Sequence, residues 1–316
     1  MTESIDLKLT SIVLGSDSVN LYSFAPVAGG TLPAAEPGAH ITLLLPEGME
    51  RQYSLVNIGE APTHYTIGVK REVEGRGGSA YIHDQLRVGT VLKVLPPQNH
   101  FPLVEDAEDY ILIGGGIGIT PIYAMAQRLK ALGRKFTLHY SARCRSDAVL
   151  LDEIAAWPEA RLRFDDECNG AHFPLLETVG TAGPGTHLYC CGPGPMLTAF
   201  EEAGRTCGVD ESRIHVEYFA AKHEAATDQT YVIELARSKK ELVVPMGKTI
   251  LDVLIANGIY VSHSCSEGVC GACETTVISG RPDHRDAILN EQEREASETM
   301  MICCSGSLSE RLVLDI

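Results

Sequence analysis

The chain has 316 residues, 44% of them hydrophobic and 22% charged, and its 26 basic against 42 acidic side chains leave a formal charge of −16. There is room for two or three separately cored modules of about 100 to 150 residues each, which excludes a single small domain. The acidity disfavours nucleic acid and anionic lipid as partners and suits either solubility or the steering of a basic redox partner.

The opening MTESIDLKLTSIVLG has neither the basic flank nor the apolar run of a leader, and no stretch reaches the roughly 20 apolar residues of a membrane span. A cytoplasmic chain without membrane attachment is expected. Disulfides are rare in that compartment, so ten cysteines point to metal ligation or redox chemistry.

Between residues 7 and 100, short apolar runs (LTSIVLGS, HITLLLP, RQYSLVNIG, HYTIGVKRE, GTVLKVLPP) are punctuated by Gly and Pro. This predicts an antiparallel barrel or sandwich, with SAYIHDQL as its helical segment. RQYS (Arg51, Gln52, Tyr53, Ser54) begins one strand and GRGGS precedes the helix. Tyr53 offers a face for a flat ring and Ser54 a donor for a ring nitrogen. Arg76, Gly77, Gly78 and Ser79 suit a phosphate at a helix N-terminus. Each motif alone fits a structural role equally well.

From Tyr110 the pattern becomes strand, Gly-rich turn, helix, strand: YILIGGG, TPIYAMAQRLKALG, KFTLHYSAR, then ARLRF, THLYCCG and PMLTAFEEAGRTCG. Strands alternating with helices imply a parallel sheet covered by helices. In ILIGGGIGITP, Gly115, Gly116 and Gly118 allow backbone to approach a pyrophosphate, and Thr120 and Pro121 open a helix whose N–H groups favour an anion. A tight packing turn is the competing reading. Ser141, Arg143 and Arg145 follow the second strand, where an adenosine ribose lies in such sheets, and Cys191, Gly192 and Pro193 end a later strand. Together these features look like a nicotinamide dinucleotide site, with Cys191 a candidate to touch the nicotinamide. Cys144, Cys168, Cys190 and Cys207 read as packing.

The polar stretch AAKHEAATDQ reads as a linker. TYVIELA and KELVVP then predict a hairpin, and TILDVLIANG a short helix ending at glycine. Cys265, Cys270 and Cys273 follow with the spacing C-x4-C-x2-C, and Cys303 comes later in MMICCSGS. Four thiolates serve two bridged irons in the plant-type 2Fe-2S spacing. A four-cysteine zinc site is the alternative, although zinc ribbons usually pair two C-x2-C knuckles. Cys304, beside Cys303, is an alternative fourth ligand.

In order, RQYS, GRGGS, GGGIGITP, HYSAR, CCGPGPM and the cysteine loop resemble the phthalate dioxygenase reductase and vanillate demethylase reductase family along essentially the whole chain. The resemblance implies a multidomain protein with an antiparallel β-barrel flavin domain (residues 1–104) and a Rossmann-like α/β NAD domain (105–221). A linker (222–229) and an α+β β-grasp ferredoxin domain (230–316) follow. It implies FMN, NADH and a 2Fe-2S cluster as cofactors. NADPH is left open, because no acidic residue directly follows the second strand and SARCR carries two arginines. Carried over by motif, Arg51, Gln52, Tyr53 and Ser54 contact the flavin, Ser54 near the hydride-accepting nitrogen, while Gly77, Gly78 and Ser79 hold its phosphate. Val69 and Lys70 lie on the next flavin-facing strand, Phe219 comes close to the flavin, and the MICCS segment favours Cys303 as fourth ligand.

The implied activity is an NAD(P)H-dependent reductase that passes electrons singly to the terminal Rieske oxygenase of an aromatic catabolic or demethylating system. A haem-thiolate or di-iron oxygenase is the alternative acceptor. A non-enzymatic redox sensor is the alternative class, and it would be expected to add a regulatory or DNA-binding patch that the sequence does not display.

Overall fold

The computed structural model describes residues 4–72, 77–220, 224–263 and 265–316. By internal contact the chain divides into two compact units, Met1–Glu217 and Tyr218–Ile316.

The first unit begins with six antiparallel strands, β1 (Ile5–Leu14), β2 (Val19–Pro26), β3 (Ala39–Leu44), β4 (Glu50–Ser54), β5 (Tyr65–Lys70) and β6 (Val91–Asn99). They run in the order β4-β3-β6-β1-β2-β5. A bridge between Leu55 and Ile67 joins the two outer strands and closes the sheet into a barrel. Alternation along each strand turns Leu7, Leu9, Tyr22, Phe24, Ile41, Leu43, Ile67 and Val69 inward, all of them essentially inaccessible. The short helix α1 (Gly78–Gln85) links β5 to β6 and buries Ile82 in the same core.

The second sheet of this unit is parallel: β7 (Asp109–Gly115), β8 (Phe136–Ala142), β9 (Ala160–Phe164), β10 (Thr186–Cys191) and β11 (Ile214–Glu217), in the order β11-β10-β7-β8-β9. After β7 the chain builds outward to one side, and from β10 it builds to the other. The switch point of the topology therefore falls between β7 and β10, where doubly wound sheets open a crevice at their carboxyl ends. Helices α2 (Ile119–Ala131), α3 (Leu151–Ala155), α4 (Leu175–Val179) and α5 (Gly194–Thr206) connect the strands. Helix α2 is buried along most of its length, which its run of Ile, Ala and Met residues permits. Trp157 stacks on Tyr123 of α2 with ring centroids 5.1 Å apart.

The second unit holds β12 (Tyr231–Leu235), β13 (Lys240–Val244), helix α6 (Ile250–Ala256), β14 (Glu274–Ser279), β15 (Pro282–Asp283), helix α7 (Glu291–Ala296), β16 (Thr299–Met301), β17 (Gly306–Ser307) and β18 (Arg311–Leu314). Its main sheet is ordered β13-β12-β18-β14-β16, with β12 and β18 parallel, and β15 pairs with β17 separately. The β12–β13 hairpin forms where the sequence predicts it. Helix α6 is fixed at its start by a reciprocal cap: Asp252 N donates to Thr249 Oγ1 at 3.1 Å, and Thr249 N donates to Asp252 Oδ2 at 3.0 Å. Such a cap contributes about 1 kcal/mol.

Candidate functional site

Because β7 and β10 are neighbours, the turns that leave them meet. A Cβ added to Gly118 would stand 2.6 Å from Gly192 N and run into the Cys191 carbonyl. At Gly115 it would stand 2.6 Å from Met196 Sδ and 2.8 Å from Pro193 Cδ. These two glycines are required by close approach. Gly116 is different: its φ of 54° is left-handed and its Cβ direction is open. Thr120 Oγ1 is buried and donates to Ile117 O at 3.0 Å, so it fixes the turn. Pro121 lies in the first turn of α2, where a missing N–H is tolerated. The anion-receptive end of the sheet is thus main chain at a helix N-terminus.

Ser141 is buried at the end of β8. Arg143 pairs with Asp147 at 2.7 Å, and Arg145 donates to both carboxylate oxygens of Glu167 at 2.6 and 3.3 Å. Cys191 is fully buried, and directly across the sheet, in register, stands Glu217. Burial raises the Glu217 carboxyl to about 8 and, with the nearby Glu217 carboxyl, pushes the Cys191 thiol well above its ordinary range. Glu217 Oε2 is buried and makes no hydrogen bond among the described residues. Sequence reading did not single out this acid. Its signal is a charged residue in the strand HVE just before the polar stretch, and the burial comes only from pairing with β10.

The barrel approaches this turn directly. A Cβ on Gly68 of β5 would lie 3.0 Å from Thr120 Cγ2 and 3.4 Å from Ile117 Cδ1, so the strand carrying Val69 and Lys70 abuts the Gly-rich turn within one unit. On β4, Arg51 lays its side chain over Gly78, whose missing Cβ would stand 2.6 Å from Arg51 Cγ and 2.8 Å from Cδ. RQYS and the start of α1 therefore meet in space. Gly77 is left-handed at φ 79° and opens α1, and Ser79 Oγ accepts from Glu72 N at 3.1 Å. Strand alternation puts Arg51 and Tyr53 on one face of β4 and Gln52 and Ser54 on the other. Ser54 is buried, and burial raises the Tyr53 phenol. Val69 points into the barrel core, with its carbonyl 2.8 Å from His83 Nε2, and Lys70 pairs with Glu72 at 2.8 Å. Arg76 lies outside the described residues, and Phe219, the second residue of the second unit, has 40% of its surface exposed.

In the second unit Cys265, Cys270, Cys273 and Cys303 are all buried. Their thiols interact, Cys265 with Cys270 and Cys303, and Cys303 with Cys273 and with neighbouring Cys304. Hydrogen bonds from the Cys270 and Cys303 thiols and from main-chain N–H groups hold the Cys265 thiol far below its ordinary range, with Glu267 N 3.3 Å from its sulfur. Left-handed Ser266, Gly268 and Gly271, at φ 56°, 70° and 72°, curl the loop. Cys304 also interacts with the Cys303 thiol; its own thiol lies 3.7 Å from Met301 O and its sulfur stands against Gly268 of the loop. Four buried sulfurs with N–H groups aimed at one of them fit a 2Fe-2S cluster.

The 2Fe-2S iron-sulfur cluster binding domain family matches residues 233–306, and the oxidoreductase NAD-binding domain family matches residues 112–202. The phenoxybenzoate dioxygenase subunit beta of Ectopseudomonas oleovorans is 49% identical over 313 residues, covering 99% of this chain and 97% of its own. The vanillate O-demethylase oxidoreductase of a Pseudomonas strain is 38% identical over 316 residues, covering 99% and 100%. The crystal structure of phthalate dioxygenase reductase superposes with a TM-score of 0.76 at 33% identity, covering 99% of this chain and 98% of that one.

The chain belongs to the phthalate dioxygenase reductase family.

Membership makes the chain an oxidoreductase with an NAD-binding and a 2Fe-2S domain, and the zinc alternative gives way. The same fold occurs inside a longer protein, an intact type IV self-sufficient cytochrome P450 monooxygenase, with a TM-score of 0.87 at 34% identity. There the match covers 99% of this chain but only 41% of that one. Among the described residues no helix is long and apolar enough to cross a membrane.

Proposed function

We propose that the chain is the reductase component of a Rieske-type aromatic oxygenase or O-demethylase, taking hydride from NADH and delivering single electrons to the oxygenase. The observation that carries this reading is end-to-end similarity to proteins named as components of such systems, among them a 3-chlorobenzoate-3,4-dioxygenase reductase subunit 38% identical over 285 residues. We assign FMN to the barrel (residues 1–104), NADH to residues 105–221 and the cluster to residues 230–316, joined by a linker at 222–229. A bound flavin supplies the conversion from a two-electron hydride to the single electrons that a 2Fe-2S cluster accepts.

The chain's own residues bind and orient. Arg51 and the main chain at Gly77, Gly78 and Ser79 would hold the flavin phosphate, Tyr53 and Ser54 its ring, with Gln52, Val69, Lys70 and Arg76 around them and Phe219 near its edge. Gly115, Gly116, Gly118, Thr120 and Pro121 would receive the pyrophosphate, Ser141 and Arg143 the adenosine end, and Cys191, Gly192 and Pro193 the nicotinamide. Contact between Gly68 and the Thr120 turn supports this, since it brings the flavin strand against the dinucleotide turn. Cys265, Cys270, Cys273 and Cys303 would ligate the irons.

The test is reduction of purified oxygenase components acting on phenoxy, methoxylated and phthalate-type acids, with NADH as donor. Cys273→Ser should abolish reduction of a one-electron protein acceptor and spare flavin bleaching by NADH in stopped flow. Loss of bleaching in the folded variant would refute the order, and extraction of FAD would overturn the flavin assignment. Similarity to the self-sufficient P450 favours a haem-thiolate acceptor as the second reading, and efficient reduction of such a haem with none of the Rieske components would establish it.

A further inference from the structure

We propose that Glu167 and Asp147 set the dinucleotide selectivity of the chain: by occupying the Arg145 and Arg143 guanidiniums beyond β8 they withhold both arginines from a 2′-phosphate and so select NADH over NADPH. The inference rests on the reading of the parallel sheet as the dinucleotide site. In doubly wound sheets the residues after the second strand of the nucleotide half decide this choice, an acid favouring the free ribose hydroxyl and an arginine the phosphate. Here the sequence SARCR offers the arginines, and the fold brings the acids to them.

The Arg145 guanidinium presents Nε and Nη2 to the two oxygens of Glu167 at 2.6 and 3.3 Å while its Cζ lies 4.5 Å from the Phe164 ring centroid. That is the same fork with which an arginine grips a phosphate, so one guanidinium edge cannot serve both. The turn that carries Glu167 is tied to β8 by main chain. Asp165 N donates to Ala142 O and Asp166 N to Arg143 O, each at 3.1 Å, tying the turn after β9 to the end of β8. A 2′-phosphate that pulled Arg145 away would leave Glu167 unpaired beside it, with Asp165 and Asp166 on the same turn, and would meet like charge. Arg143 is held on the other side by Asp147 at 2.7 Å. That carboxylate is only 20% exposed, and it supplies, a little beyond β8, the ribose-facing acid absent immediately after the strand. Exposed ion pairs are individually weak, so selectivity arises from repulsion by the carboxylates as well as from pairing.

The test uses the full-length, cofactor-loaded protein and two readouts: the NADPH/NADH ratio of kcat/KM, and competition by 2′,5′-ADP with 5′-ADP as control. The parent should prefer NADH and bind 5′-ADP at least as well as 2′,5′-ADP. Glu167→Gln should raise the NADPH/NADH ratio and the relative affinity for 2′,5′-ADP by about tenfold, the scale of one charge-assisted contact. Adding Arg145→Ala to Glu167→Gln should erase the gain, and Asp147→Asn should raise the KM for NADH. A parent that prefers NADPH, an unchanged 2′,5′-ADP affinity in Glu167→Gln, or a gain that survives loss of Arg145 would each overturn the proposal. A parent that binds neither ADP nor either dinucleotide would instead sink the underlying site reading.

Discussion

Replacing Glu217 by glutamine removes one titrating group from the interior and leaves its shape. The folded-state value is about 8 against an ordinary 4.5. Between those values the native state holds a proton that the unfolded chain has released, so stability falls as pH rises through this window and levels off above it. From pH 5 to pH 8 the two values imply a loss of at most about 3.5 kcal/mol, at 1.36 kcal/mol for each unit of pKa difference. Trp157, the only tryptophan, sits in the same unit stacked on Tyr123, so its fluorescence follows that unit in urea titrations. The parent should lose stability across this range, and Glu217→Gln should lose less by roughly that amount, other titrating groups being common to both. Parallel curves for the two proteins would refute the assignment of a buried, proton-holding carboxyl beside Cys191.

Gly118→Ala should cost at least about 1–3 kcal/mol and abolish dinucleotide binding, because its neighbours are the main chain of Cys191 and Gly192 and cannot yield; equilibrium unfolding and NADH titration measure both. Gly78→Ala should cost less than about 1 kcal/mol, since the flexible Arg51 can swing away, yet weaken flavin retention on dialysis; loss of the fold would contradict this. Cys304→Ser should keep the cluster's visible absorbance and iron content, whereas Cys303→Ser should lose both, the contact of Cys303 with Cys265 and Cys273 being the reason. Thr249→Ala should destabilise the second unit by about 1 kcal/mol through loss of its cap, read by thermal melting of the cluster absorbance.

The architecture was largely legible because its signals are local. Alternating apolar residues mark the barrel strands, helical spacing marks α2 and α5, and the Gly-rich turns fall at the ends of β7 and β10. Cysteine spacing marked the cluster loop, and Cys303 and Cys304 both lie buried beside it. Partnerships between distant strands were not legible. Glu217 becomes buried only when β11 pairs with β10, and the carboxylates that neutralise Arg143 and Arg145 come from beyond β8 and from the turn after β9. Helix α7 was also missed, since five polar residues and an alanine held by an Asn290–Glu293 cap have no apolar periodicity to read.

The contact between Arg51 and Gly78 joins two sites that are far apart in sequence. Gly78 lies in ordinary helical conformation inside α1, so no turn demands a glycine there. It is the arginine on β4 that excludes a side chain. The two positions should then vary together among related chains: where residue 51 is short, residue 78 is free to become alanine or serine, and grafting one partner without the other would break their packing.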